Sequence, residues 1–149
     1  MLTKGDDFPI HQKPSPLAEV GSSRNFYDRY FFNGYSHEDE IFFGAVLCVY
    51  PNLNIMDAAF TIAHKGIQHN VRASRILNLE RLDTVVGPIQ VKVIEPLQKL
   101  QVLVKDKDSG INVDITFDGF TEVLQEPQMY LYDGPRKTMD TCRMVQHGS

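Results

Sequence analysis

A succession of short apolar segments separated by turn residues is the feature that most constrains how this 149-residue chain can fold. Such segments occupy residues 27–33, 41–50, 56–63, 67–75, 89–93, 100–104 and 111–117, and residues 120–124 and 129–132 add two weaker ones. In residues 111–117 apolar and polar side chains alternate cleanly, which is typical of a half-buried strand. The only helix candidate is a turn or two at residues 77–82. This pattern predicts an all-β, antiparallel sandwich or barrel.

One hairpin can be derived residue by residue. Lys65 and Gly66 are its predicted central turn residues, because Gly66 readily adopts the positive φ that a tight hairpin needs. The register then pairs His64 with Ile67, Ile62 with His69, Phe60 with Val71, Ala58 with Ala73 and Met56 with Arg75. These residues share one mostly apolar face.

The opposite face of this hairpin carries Asp57 diagonal to Arg72, beside small residues on the same strand. An acid and a base next to small side chains suggest that something packs closely there. Asp57 is therefore a candidate catalytic residue, and Arg72 is a candidate ligand-binding residue. The alternative interpretation is a structural ion pair on a solvated face.

The stretch "RNFYDRYFFNGY", residues 24–35, has six aromatic residues among its twelve. A strand with one face in water would alternate apolar and polar residues, but here both faces are aromatic. The even face holds Phe26, Asp28, Tyr30 and Phe32, and the odd face holds Tyr27, Arg29, Phe31, Asn33 and Tyr35. We therefore expect residues 27–33 to line an apolar cavity, with Tyr27, Tyr30, Phe32 and Tyr35 as candidate ligand contacts.

Asp28 is the second candidate catalytic residue. A carboxyl group among aromatic rings is desolvated, which raises its pKa and makes it a proton donor. Protonation of an alkene would start hydration, isomerisation or cyclisation through a carbocation that the rings would stabilise. The alternative is that Asp28 and Arg29 each pair with a neighbouring strand and that the aromatic rings only fill the core.

Composition excludes several classes of partner. The net charge is −4 and there is no long run of Lys or Arg, so neither nucleic acid nor an anionic membrane is expected. No apolar run is long enough to span a bilayer. Cys48 and Cys142 fit no metal spacing, and His64 and His69 share a hairpin face without a third ligand. We predict no metal, no cofactor and a reducing, cytoplasmic location.

The N-terminal residues 1–24 are polar and contain Pro9, Pro14 and Pro16, which disfavour regular helix. They are predicted to form an extended arm rather than a signal peptide. Residues 25–149 are predicted to form one β domain.

Five stretches together resemble a known family: "NFYDRYFFNGY", "VYPNLNIMDAAF", "VRASR", "DTVVGPIQVKVIEPLQKLQV" and "MDTCRMVQHGS". They are similar to bacterial proteins with tandem lipocalin-like domains, which in turn resemble the hydroxyneurosporene synthases, a group of carotenoid hydratases, and lipocalin-like cyclases. The resemblance runs from about Asp6 onward. It implies a lipocalin-like barrel or strongly curved sheet, and an apolar ligand of isoprenoid or polyketide type.

The resemblance leaves three functions open. The domain is a hydratase, isomerase or cyclase, or a non-catalytic carrier of such a ligand, or an interaction module of a larger assembly. The bacterial proteins that this chain resembles continue past "QHGS" into a second lipocalin-like domain. The expected partner is therefore that second domain or another copy of this chain. We expect a homodimer, because a lone half leaves strand edges or an apolar face uncovered, including the largely apolar strand at residues 41–50.

Overall fold

A computed structural model of the protein describes residues 2–9, 24–36, 38, 40–80 and 82–149. The strands are β1 Asp28–Ser36, β2 Ile41–Tyr50, β3 Ile55–His64, β4 Ile67–Ile76, β5 Val85–Val86, β6 Ile89–Glu95, β7 Lys99–Asp106, β8 Ile111–Asp118, β9 Leu124–Gln125, β10 Met129–Asp133, β11 Arg136–Thr141 and β12 Met144–Val145. Short 3-10 turns occupy Lys4–Asp7 and Pro51–Leu53.

The first eight strands form two antiparallel four-stranded sheets in chain order, β1-β2-β3-β4 and β5-β6-β7-β8. This confirms the predicted all-β, antiparallel class. The expected helical turn at residues 77–82 is absent from the described residues there. Asn78 takes a left-handed φ of 62°, which interrupts a right-handed helix. The segment instead connects the two sheets.

A single hydrophobic core joins the inward faces of the two sheets. Phe60, Leu47 and Met56 of the first sheet are almost completely buried. Ile89 and Val102 of the second sheet are buried to the same degree. Inward positions recur at every second residue because side chains of a strand point alternately to its two faces.

The outer strands of the two sheets meet through aromatic side chains. The ring of Phe32 in β1 lies 6.3 Å from that of Phe117 in β8, in an edge-on arrangement. β1 and β8 are not hydrogen-bonded neighbours in either sheet. The lipocalin-like barrel or strongly curved sheet therefore stays a prediction.

The derived hairpin register is confirmed. β3 and β4 pair His64 with Ile67, Ile62 with His69, Phe60 with Val71, Ala58 with Ala73 and Met56 with Arg75. Lys65 and Gly66 have φ angles of 48° and 77°, the pair of positive values that a tight type I′ turn requires. Asp57 and Arg72 consequently lie on the same, outward face of the sheet.

The C-terminal segment adds two short ribbons outside the two sheets. β9 pairs with β12, and β10 pairs with β11. The predicted strand at residues 129–132 is confirmed, whereas of residues 120–124 only Leu124 belongs to a strand. Backbone hydrogen bonds of 2.9 and 3.0 Å between Asp118 and Ser149 attach the last residue to the end of β8.

Replacing Phe60 by alanine should lower the free energy of unfolding by about 3–5 kcal/mol, because the change opens a cavity between both sheets. Phe31→Ala is the matched control: Phe31 is 62% exposed and lies on the outward face, so the loss should not exceed about 1 kcal/mol. Urea unfolding of both variants measures the difference. Equal losses would contradict the shared core.

Candidate functional site

The register distributes the predicted site residues between opposite faces of the first sheet. Asp28, Tyr30 and Phe32 face the second sheet together with Val49, Leu47 and Ala45, their partners in β2. Tyr27, Tyr35, Asp57 and Arg72 belong to the outward face. The candidate residues therefore form two separate groups, because neighbouring residues of a strand point to opposite sides.

Of the inward group, Tyr30 borders a cavity of about 270 Å³. Its lining residues are Phe8, Pro9, Tyr30, Leu82, Thr84, Gln90, Val91, Lys92, Val93 and Ile94. β5 is two residues long and pairs only with Ile89 and Gln90, so the following residues of β6 have no β5 partner and form one wall. Phe32 and Asp28 are not among the lining residues.

The N-terminal segment holds the other wall in place through Asp7. The buried Asp7 carboxylate accepts a 2.8 Å hydrogen bond from the Leu97 backbone N–H, in the turn between β6 and β7. The Tyr30 hydroxyl donates to the Asp7 carbonyl oxygen at 2.5 Å. Within the predicted arm, Lys4–Asp7 form a 3-10 turn, and residues 10–23 lie outside the described residues, so the extended arm stays a prediction.

Burial controls the protonation of both groups. Desolvation raises the pKa of the Asp7 carboxyl, and the hydrogen bond from Leu97 partly opposes that rise. Desolvation, followed by the charges of Asp7 and Asp28, raises the pKa of the Tyr30 hydroxyl far above its usual value. Tyr30 is therefore a neutral hydrogen-bond donor at any physiological pH.

The outward group is centred on Cys48. Register places Arg29 of β1 and Asp57 of β3 directly beside Cys48 of β2. The Arg29 guanidinium lies 5.8 Å from the centre of the Tyr27 ring, which in turn lies 5.8 Å from the Tyr50 ring. These side chains leave Cys48 only 7% exposed although it faces outward.

Cys48 is also the hydrogen-bond partner of Asp57. Burial raises the pKa of Asp57, and the hydrogen bond to Cys48 opposes that rise. Burial likewise raises the pKa of the Cys48 thiol. Within the part of the chain that the structure describes, no ion pair joins Asp57 to Arg72. The alternative interpretation of these two residues as a structural ion pair is therefore wrong. Arg72 lies opposite Ala59, two residues along the strand from Asp57 and on the same face.

Sequence reasoning missed both Asp7 and Cys48. Asp7 lies in a polar, proline-rich segment with no periodic signal, and its partner Leu97 is 90 residues away. Cys48 depends on the register of β2 against β3, which are connected by a 3-10 turn rather than by a recognisable two-residue turn.

The described residues were also searched for metal-ligand clusters and for membrane-spanning helices. In the described ranges, no group of three His, Cys, Asp or Glu side chains is arranged to hold a metal ion. The described residues also include no helix that is both long and apolar enough to cross a membrane.

Comparison with known proteins gives one match. A family model described as a family of unknown function, DUF8625, matches residues 2–149. The chain belongs to the DUF8625 family. No curated protein and no solved structure matches it. The resemblance of this DUF8625 protein to hydroxyneurosporene synthases therefore stays a prediction.

Asp7→Asn keeps an oxygen acceptor for the Leu97 N–H and removes the buried charge. Because the folded state raises the pKa of Asp7, its contribution to stability is full below the unfolded pKa and is lost as pH rises through the folded pKa. The free energy of unfolding of Asp7→Asn, taken relative to that of the parent, should therefore increase from about pH 4 to about pH 7.

Asp7→Ala is the control for this pair of measurements. It leaves the Leu97 N–H without its partner, so its free energy of unfolding should be about 1–3 kcal/mol lower than that of Asp7→Asn at both pH values. If Asp7→Asn instead lost stability relative to the parent as pH rose, the ionised carboxylate would stabilise the folded state and the assignment would be wrong.

The two cysteines of this DUF8625 protein should react at very different rates. Cys48 is buried and its pKa is raised, whereas Cys142 is half-buried in the C-terminal segment. Iodoacetamide should label Cys142 first in the native protein and both cysteines after denaturation, because the thiolate is the reactive form. Peptide mass spectrometry measures the two sites in one sample. Native labelling of Cys48 at the rate of Cys142 would contradict the arrangement.

Proposed function

We propose that this DUF8625 protein binds a compact apolar small molecule in the cavity beside Tyr30. The observation that supports the proposal is the cavity of about 270 Å³ at the junction of the N-terminal segment, β1 and β6. Small-molecule sites typically measure about 300–1,000 Å³, so this cavity suits a small ligand. A single isoprenoid unit or a small ring system fits this size better than a complete carotenoid.

The polar groups of the cavity suggest what kind of ligand it takes. The Tyr30 hydroxyl donates to Asp7, and the buried Thr84 hydroxyl donates to the Val91 carbonyl oxygen. Both donors are therefore already used in the protein. Lys92 is exposed and belongs to the lining. A ligand with an apolar body in the cavity and a carboxylate or hydroxyl group near Lys92 would complement this distribution.

A carrier role is better supported than catalysis. Asp28 is half-buried on the same sheet face as Tyr30, but it does not line the cavity. Asp57 is on the other side of the sheet. Neither candidate acid is thus placed where an alkene in the cavity would meet it. Hydration, isomerisation or cyclisation remains a hypothesis, and the interaction module is the second candidate, favoured by the exposed aromatic residues of the outward face.

Binding can be tested with the neutral fluorescent probe N-phenyl-1-naphthylamine. Leu82 lines the cavity and is 52% exposed, so Leu82→Trp should fill the opening without disturbing the core. We expect it to weaken probe binding by at least about tenfold. Leu79→Trp is the matched control, because Leu79 lies in the same connection, is fully exposed and does not line the cavity. Equal binding by both variants would place the probe elsewhere and refute the cavity as the site.

Asp28→Asn separates a carrier from an enzyme. We expect the variant to bind the probe within about twofold of the parent. The parent should also leave a monoterpene alkene unchanged, as judged by gas chromatography and mass spectrometry. Addition of water to the alkene, or a shift of its double bond, by the parent but not by Asp28→Asn would replace the carrier proposal by a catalytic one.

A further inference from the structure

β10 is an apolar strand that almost nothing in the described chain covers. Its sequence is MYLYD, and all five residues are exposed. Tyr132 is 63% exposed and Leu131 is 48% exposed. β10 pairs only with β11, so its second edge has no strand beside it among the described residues. An exposed apolar edge strand is a template for pairing with another strand.

The direction of the backbone groups on this edge follows from one hydrogen bond. The Thr138 hydroxyl of β11 donates to the Leu131 carbonyl oxygen at 3.2 Å, so the Leu131 backbone groups point toward β11. N–H and C=O groups alternate in direction along an antiparallel strand. The N–H and C=O groups of Tyr130 and Tyr132 consequently point away from β11, toward the open edge.

We propose that β10 is a dimerisation edge, which pairs antiparallel with β10 of a second copy of this chain. The two-fold axis passes beside Leu131. Leu131 then faces Leu131 of the other copy, and Tyr130 faces Tyr132 of the other copy on each side of the axis. A closed two-fold arrangement of identical surfaces is the commonest form of protein oligomer.

This register uses every backbone group that the open edge offers. Each of the two Tyr130–Tyr132 pairs is a hydrogen-bonded pair that exchanges both N–H···O bonds, whereas the central Leu131 pair is of the non-hydrogen-bonded kind. The register also places Asp133 opposite Met129 of the other copy. A register centred on Asp133 would instead oppose two carboxylates, which is destabilising.

The charges of the hairpin favour β10 over β11 as the pairing edge. β11 carries Arg136 and Lys137, and charged side chains on an edge strand discourage further pairing. Lys137 is already paired with Asp140 at 2.7 Å, on the same face as the Tyr130 ring that it contacts. β10 has no charged residue before Asp133.

The expectation that the strand at residues 41–50 mediates association has less support. Both edges of β2 are occupied, by β1 and β3, and its inward residues lie in the core. Only its outward face remains for a partner. β10, in contrast, offers backbone groups as well as side chains.

Cysteine cross-linking tests the register directly. In a Cys142→Ser background, Leu131→Cys places two thiols across the two-fold axis, where Cα atoms about 4.5 Å apart permit a disulfide. Tyr130→Cys is the matched control, because its partner across the edge is Tyr132. Mild oxidation should give a covalent dimer of Leu131→Cys and little of Tyr130→Cys, on a denaturing gel without reductant. Equal cross-linking of both, or of neither, would overturn the proposed register.

Association without cross-linking provides the second test. Tyr130→Pro removes an outward N–H while the bonds from β10 to β11 remain, and Tyr130→Thr removes the ring but keeps the N–H. A short edge makes a small interface, so sedimentation equilibrium at about 100 µM is appropriate. The parent and Tyr130→Thr should show twice the 17.0 kDa of one chain, and Tyr130→Pro should show one chain. A monomeric parent, or a Tyr130→Pro dimer, would overturn the proposal.

Discussion

The structure depends on the contact between the inward faces of its two four-stranded sheets. Phe60 and Leu47 of the first sheet share one core with Ile89 and Val102 of the second. Neither sheet has another described layer against this face, so each depends on the other to exclude water from its apolar side chains. Because the core fixes which face of each strand is inward, it also determines which candidate residues can meet.

The N-terminal segment shows how a buried charge is accommodated at the margin of that core. Asp7 is buried and has a raised pKa, but its carboxylate accepts the Leu97 N–H and its carbonyl oxygen accepts the Tyr30 hydroxyl. The two bonds connect the chain start to both sheets, since Tyr30 belongs to β1 and Leu97 follows β6. The cavity beside Tyr30 is lined by Phe8 and Pro9 of this segment and by the part of β6 that follows its pairing with β5.

The two features on which the proposals rest are located in different parts of the molecule. The cavity lies beside the core, whereas the β10 edge lies in the C-terminal ribbon. The proposed ligand binding and the proposed pairing of two copies can therefore be tested separately. The outward group around Cys48 is a third feature, in which aromatic rings and Arg29 cover a thiol whose pKa burial has raised. Its buried, hydrogen-bonded state fits a structural role.

The sequence by itself determined the all-β class and the β3–β4 register. A two-residue turn at Lys65 and Gly66 leaves no freedom in pairing, and the period of two then assigns each side chain to a face. The same reasoning assigned the two faces of residues 27–33, but it did not decide which face was inward. The apolar residues of β10 look like those of a core strand, so the sequence did not indicate that the other described residues would leave them exposed.

Only the tertiary structure decided which distant groups meet. It separated Asp28 from Asp57, replaced the expected Asp57–Arg72 ion pair by a bond to Cys48, and brought Asp7 to Leu97. The Cys48–Asp57 contact depends on the register of β2 against β3, and the Asp7–Leu97 contact joins segments that are distant in sequence. Local backbone preferences act over a few residues, whereas a buried contact across the chain is fixed only when the whole core has formed.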